Sequence, residues 1–390
     1  MNQLVLVANA RMPSARAQSL QVAQCAASFA RAGLETILLT ARRRRSLELP
    51  AGTDLFDWYG VPRGARPRLE EAACVDWIEQ LPRALQYVPA RVQELSFSRA
   101  AAQRIAREWP QALVYSREVE CAQRLLRRSG RPVFLEIHRV PGGRLRRRAL
   151  LAAGGRARGI VAISGGVRED LIELGLAPDS IRVEHDGFEP ARFAAPLSRT
   201  EARRRLQLPA EAPIVVYTGG LLEWKGVDVL LEAARSLPQV YFVIAGGMEA
   251  DVQRLRAEAG GLAHVRINGF QPPETVPWYL AAGDLSVVPN RARPMISARY
   301  TSPLKVFEAM AARIPLVASD LPSLREILTH EQDALLVEPE NAPALAAAIE
   351  RLLGDEALRA RLVAALGARA AQHTWDARAQ RLVEWMRARV

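Results

Sequence analysis

The stretch IVVYTGGLLEWKGVDVLLEAA (214–234) runs from an apolar segment into two glycines, a short loop ending in Lys225-Gly226, and a second apolar-periodic segment. An uninterrupted apolar run closed by glycine predicts a buried strand, and the spacing of VDVLLEAA predicts a helix. The unit then recurs. YFVIAGG (241–247), HVRING (264–269), LSVVPN (285–290) and PLVASD (315–320) each read as a strand and its exit turn, with helical segments between them. Upstream lies an earlier series. LVLVA (4–8) leads into a helical pattern from Ala15 to Arg31, followed by TILLT (36–40), ALVY (112–115), PVFLEI (132–137) and IVAI (160–163), the last feeding the helical VREDLIEL (167–174). Continuous rather than alternating apolarity is the mark of parallel strands covered on both faces. The fold class is therefore α/β, with two Rossmann-like domains built on parallel sheets. Between Leu47 and Pro89 scattered prolines and little periodicity predict loops with short helices.

A chain of 390 residues suits two domains, since one domain usually holds about 100–200 residues. The expected division is a first domain over 1–195, a proline-rich linker over 196–212 containing SRTEARRR, and a second, ligand-binding domain over 213–373. A closing helix over 374–390 should pack back on the first domain. It is the last of three predicted helices, Ala342–Leu353, Ala357–Ala371 and Trp375–Arg389. Ligands of open α/β sheets bind beyond the carboxyl ends of the strands, so the exit loops of both domains are expected to face one cleft.

Composition narrows the chemistry. Cys25, Cys74 and Cys121 are widely spaced and odd in number, which fits a reduced compartment and no disulfide framework. Five histidines without an HExxH pairing argue against a catalytic zinc, and no metal or other cofactor is expected. No run approaches the roughly 20 apolar residues of a membrane span. The N-terminus reads as a first strand rather than a leader, so the expected location is cytoplasmic. A net charge of +11 points towards nucleic acid, an anionic lipid surface or phosphorylated small molecules. Of the 53 basic residues only Lys225 and Lys305 are lysines. Against such an arginine bias single arginines carry little information. A compact, steerable ammonium group is another matter.

Both lysines fall at predicted strand-to-helix turns of the second domain. Ser302-Pro303-Leu304-Lys305 opens the helical run Leu304, Phe307, Met310, Ala311 and is expected to supply an N-cap serine and an N1 proline. The free amides of such a helix start favour an anion, and Lys305 adds a full charge. Glu308 lies one turn on. At the other turn Gly219 and Gly220 let the backbone approach a ligand ahead of Lys225, without the GKS/T ending of a P-loop. Either feature alone is equally an ordinary capped helix or glycine turn; the two together single out a phosphate site.

These residues also carry a family resemblance. TGGLLEWKGVDVLLEAA, VIAGG, INGF and YTSPLKVFEAMAARIPLVASDLPSLREIL resemble the nucleotide-binding half of glycosyltransferase family 4, in its SPLK form. PVFLEIHRV, VAISGGVREDL and HDGFEPARF resemble its first half. The likeness implies a GT-B fold and metal-independent transfer of a sugar from a nucleotide-diphosphate sugar, with retention at the anomeric carbon. It implies that Lys225 and Lys305, with Gly219, Gly220, Ser302, Pro303 and Leu304, clamp the donor diphosphate. It further implies that Glu308 binds the ribose, that Phe270 lies by the base, and that His138 contacts the transferred sugar from the first domain. Tyr300 and Thr301 are candidates for the sugar end. Two positions depart from the family pattern: Tyr300 stands where the first of two glutamates is usual, and Leu221–Glu223 where an arginine is usual.

The acceptor, whether a glycan, a lipid-linked sugar or a small molecule, is expected to meet the first domain, where Arg11, Arg16 and Arg139 are candidate contacts. Arg42–Arg45 and Arg144–Arg148 offer an anionic membrane surface a peripheral contact. Two other functions compete. A sugar-nucleotide epimerase of GT-B shape would need further acid/base carboxylates. A basic nucleic-acid or membrane-surface binding protein would need a recognised module or a clustered charge, and nucleic acid is not an expected partner.

Overall fold

The computed structural model describes residues 2–44, 47–128 and 130–390. The chain forms two compact units. Residues 1–185 and 375–390 make the first unit, and residues 186–374 the second.

In the first unit seven strands form one sheet: β1 (Gln3–Ala8), β2 (Glu35–Ala41), β3 (Arg68–Ala72), β4 (Leu113–Ser116), β5 (Val133–Ile137), β6 (Gly159–Ala162) and β7 (Ile181–Val183). Their order is β3-β2-β1-β4-β5-β6-β7, parallel throughout. The order reverses direction between β1 and β4, so the loops after these two strands border the crevice at the sheet's switch point. The five apolar runs of the sequence are all strands. β3 and β7 are additional. RLEEA of β3 sits at the sheet edge, where only one flank is paired and its charged side chains reach solvent.

The second unit carries β8 (Ile214–Thr218), β9 (Tyr241–Ala245), β10 (Val265–Asn268), β11 (Leu285–Val288), β12 (Leu316–Ser319) and β13 (Leu335–Val337). Their order is β10-β9-β8-β11-β12-β13, again all parallel, with the switch point between β8 and β11. Alternation within β8 shows why its sequence is apolar throughout. Val215 and Tyr217 pack into the core against the helices Val227–Arg235 and Ala342–Gly354, whereas Ile214 and Val216 pack on the opposite face with Tyr279, Val306 and Phe307.

The residues expected to form a linker are instead part of the second unit. Ser198 caps the helix Arg199–Leu206, and buried Arg203 of that helix pairs with Asp284 (Nη2–Oδ2 2.8 Å), which also accepts from the Ile214 amide. The unit begins earlier than expected, at Asp186, and its first residues pair with its last: Phe188 bridges to Thr374 and its amide donates to the His373 carbonyl. The closing helix, Trp375–Arg387, lies in the first unit against the helix Ala17–Arg31.

Candidate active site

Lys305 is the most telling residue of the second unit. It sits in the first turn of the helix Leu304–Ala312 and is 7% exposed. Its Nζ lies 3.7 Å from the centre of the Tyr217 ring and has no hydrogen-bond partner among the described residues. Tyr217 is the penultimate residue of the buried strand β8 and is itself anchored, its hydroxyl donating to the Gly220 carbonyl at 2.6 Å. Burial, and then the charge of Lys225, push the Lys305 ammonium well below its ordinary pKa, with Glu308 acting in the opposite sense. Lys225, half-buried in the turn Glu223–Lys225, lies 3.9 Å over the Trp224 ring, and burial pushes its pKa down to about 7. Two ammonium groups that sense each other, each lying over an aromatic face, form a site that favours an anion.

The glycines fit around this pair. Gly219 has φ +136°, and a Cβ there would lie 3.3 Å from both Cε and Nζ of Lys305, so the glycine turn is what admits the lysine. Gly226 has φ +66°, and its hydrogen stands where a Cβ would come within 1.9 Å of the Pro289 carbonyl. The structure thus brings together Gly219, Gly220, Tyr217, Lys225 and Lys305 at the carboxyl end of β8. Thr218 Oγ1 and both side-chain amide atoms of Asn290, at the ends of adjacent strands β8 and β11, are likewise buried without a hydrogen-bond partner among the described residues.

One expectation changes and one residue gains a partner. Ser302 does not cap the helix. Pro303 occupies the cap position with extended backbone (φ −79°, ψ 115°), no side chain caps the helix, and Ser302 Oγ instead accepts from the Asp186 amide at 2.7 Å. Glu308 is not a lone carboxylate. Its Oε1 is bound by Arg192 Nη1 at 3.0 Å, and both side chains are buried. Arg192 comes from the short turn Pro190–Phe193 and also donates to the Pro273 carbonyl. Thr301 is buried with its hydroxyl turned to the Ile296 carbonyl, while Tyr300 and Phe270 are half-buried. The sequence reading missed Tyr217, Arg192 and Asn290 as site residues. An aromatic residue following three aliphatic ones near the end of a strand was the one available signal, for Tyr217.

In the first unit His138 follows β5 and its Nε2 lies 2.7 Å from Glu136 Oε1. Glu136 is 2% exposed and belongs to the strand itself. Burial alone would raise its carboxyl. Arg378, the His138 hydrogen bond and Arg117 outweigh that and hold it well below the usual carboxylate range. Glu118, after β4, accepts from the Asn9 amide at 2.8 Å across the switch point, and burial pushes its pKa up to about 7. Of the expected acceptor contacts, Arg11 is paired with Glu79, whereas Arg16 and Arg139 are exposed. The basic runs stay largely open: Arg42, Arg44, Arg144, Arg147 and Arg148 are exposed. Arg43 is half-buried against Asp76 (2.9 Å), Arg42 reaches Glu71 (3.4 Å), Arg146 pairs with Glu94 (2.8 Å), and Arg45 lies outside the described residues. Among the described residues no cluster of three or more His, Cys, Asp or Glu could hold a metal ion, and no helix is long and apolar enough to cross a membrane.

Two all-parallel α/β units, the second presenting two cations at the carboxyl end of its central strand, define the protein as one of GT-B architecture. Structures of that kind cover the whole chain. Sucrose-phosphate synthase from Thermosynechococcus elongatus aligns over 100% of this chain and 99% of its own with a TM-score of 0.78 and 21% identity. HepE of Anabaena in complex with UDP aligns over 100% of both chains with a TM-score of 0.75 and 19% identity. Residues 19–192 match the family described as Glycosyltransferase Family 4 and residues 198–366 the family described as Glycosyl transferases group 1. The chain belongs to these glycosyltransferases, a family of transferase enzymes. Curated relatives include an alpha-D-kanosaminyltransferase of Streptomyces kanamyceticus, 34% identical over 45% of each chain. A lipopolysaccharide core biosynthesis glycosyltransferase of Rhizobium meliloti is 33% identical over 53% of this chain and 56% of its own. The matched region spans about half the length of these relatives.

Proposed function

We propose that the chain is a retaining, metal-independent glycosyltransferase that moves a sugar from a nucleoside-diphosphate donor to an acceptor hydroxyl, in the building of a glycan, glycolipid or polysaccharide. The observation that carries this is the buried, unpartnered Nζ of Lys305 beside a second lysine. Burying a cation without a counter-ion is costly, and a diphosphate would offset that cost. The same arrangement suits the chemistry. As the bond to the anomeric carbon breaks, charge develops on the leaving diphosphate, and two ammonium groups with the turn amide of Gly220 would stabilise it without a metal ion, the Gly219 amide being given to the Ala245 carbonyl at 2.9 Å. Glu308, with Oε1 committed to Arg192, would receive the ribose hydroxyls on Oε2, and Phe270 would lie by the base. His138 would contact the transferred sugar, with Tyr300 and Thr301 at the sugar end. HepE was solved with UDP and with UDP-glucose, which makes uridine the first base to test.

Screening UDP-, GDP- and ADP-sugars by thermal shift identifies the donor, because ligand bound only by the native state raises apparent stability. With that donor, Lys305→Ala and Lys225→Ala should each lower turnover about 10²–10³-fold, as removal of one such donor group does elsewhere. Transfer at the wild-type rate by either folded variant rejects the assignment. Inversion of the anomeric centre in the product, read by NMR, or loss of activity in EDTA would reject the retaining or the metal-independent part alone.

A further inference from the structure

We propose that Glu136, itself held by Arg378 from the closing helix, is the positioning residue that fixes the orientation and the tautomer of His138. This deepens the reading of His138 as a contact to the transferred sugar, and rests on it.

Each oxygen of the Glu136 carboxylate has its own task. Oε2 accepts from Arg378 Nη2 at 2.8 Å and from the Tyr115 hydroxyl at 2.5 Å. Oε1 faces His138 Nε2 at 2.7 Å, with Arg117 Nε at 3.7 Å. Rotation of the carboxylate would break contacts at both oxygens, so the group is locked. Arg378 is locked in turn. It is 1% exposed, and it donates to the His185 carbonyl at 2.9 Å and approaches Cys25 Sγ at 3.4 Å. An ionised carboxylate can only accept, and at 2.7 Å it outweighs the Gln21 amide, whose Nε2 lies 3.5 Å from the same ring nitrogen, so His138 Nε2 carries the proton. The neutral imidazole therefore bears its lone pair on Nδ1, and the charged imidazole bears an N–H there. A buried salt bridge is a poor source of stability compared with apolar packing. Its placement against the one histidine at a central strand end gives this one a use in the reaction instead. The charged or titratable groups facing the pair are Arg378 from the closing helix, Tyr115 from β4, Arg117 from the loop after it, and Cys25 from the helix Ala17–Arg31.

Glu136→Gln in the full chain tests the idea. Arg378 requires an acceptor, so the amide oxygen should turn to it and the amide nitrogen to His138, which must then accept on Nε2 and carry its proton on Nδ1. Nitrogen-15 NMR of the histidine ring should show that tautomer exchange and a lower titration midpoint than in the wild type. Turnover with the donor found by thermal shift should fall about 100-fold through misplacement of the ring, with KM for the donor little changed. A purely structural role would lower Tm without changing the tautomer. Because the variant leaves Arg378 short of its counter-charge and can fail to fold, the wild type supplies a second measurement. A neutral wild-type His138 protonated on Nδ1 overturns the proposal outright, and protonation on Nε2 supports it. His138→Ala separates the two readings. Full activity in that variant rejects the sugar contact, whereas an inactive His138→Ala beside a fully active Glu136→Gln rejects only the positioning role.

Discussion

A lysine with a pKa of about 7 is half discharged at neutral pH, so what binds Lys225 decides its charge. A diphosphate beside it would restore the proton. Below pH 7 the free and bound forms are both charged, and binding takes up nothing at this group. Above pH 7 the free lysine loses its proton while the complex keeps it, so each binding event takes up a proton and affinity falls with pH. Calorimetry of nucleoside-diphosphate binding at pH 8 in buffers of different ionisation enthalpy should show uptake that Lys225→Met reduces. The same number of protons taken up by both proteins would remove Lys225 from the phosphate site. The same shift acts on the free protein. Between about pH 7 and the unfolded lysine's value near 10.4 the unfolded chain holds the extra proton, so stability should rise with pH across that window. Glu308 offers a second test at this scale. Removing one partner of a buried ion pair typically costs about 3–5 kcal/mol, so Glu308→Ala should lower stability through stranded Arg192 as well as weaken nucleotide binding. A double variant, Glu308→Ala with Arg192→Met, should recover much of the stability and none of the affinity; recovered affinity would reject the ribose contact. The lysines were legible because two of them stand among 53 basic residues. Arg192 was not, because its partner lies 116 positions away and arginine is everywhere in this chain.

Elements were legible where burial writes itself into sequence and obscure where it does not. Runs such as IVVYT and YFVIA are covered on both faces and announced their strands. RLEEA of β3, with charged side chains on an edge, resembled a loop, and no local signal could have placed it. Ser302 was misread for a different reason: the amide of Asp186, remote in sequence, competes for the hydroxyl a helix cap would use. The turn before Val227–Arg235 makes the sharper prediction. Gly226→Ala would set a Cβ 1.9 Å from the Pro289 carbonyl at a positive φ. Backbone must move on one side, and Lys225 is the neighbouring residue. Strain of this kind costs about 1–3 kcal/mol. Gly226→Ala should therefore lower Tm and, at a temperature where it is fully folded, still bind nucleoside diphosphate more weakly than the wild type. Unchanged affinity would show that the turn does not set the position of Lys225.

At the scale of the whole molecule, chain order and structural unit disagree at the C-terminus, and the disagreement can be tested by cutting. Asp186–Thr374 is contiguous, contains both lysines, Glu308 and Arg192, and has apolar cores on both faces of its sheet. Its ends already meet where Phe188 bridges to Thr374, so excision leaves no strand without its neighbour. Residues 1–185 are in the opposite position. Without Trp375–Val390 they lose Arg378, leaving Glu136 a buried carboxylate short of its main counter-charge, and they uncover the helix Ala17–Arg31. The segment Asp186–Thr374 should accordingly express as a folded protein and be stabilised by nucleoside diphosphate, by about 2.7 kcal/mol at a hundredfold excess over Kd. Residues 1–374 should show one folded and one destabilised unit, with early proteolysis confined to the first. Joining 375–390 to 1–185 through a short glycine-serine linker should restore protection. If the excised segment folds and nucleotide leaves its Tm unchanged, the phosphate site is not contained within the second unit, and Lys225 and Lys305 cannot by themselves be the diphosphate clamp.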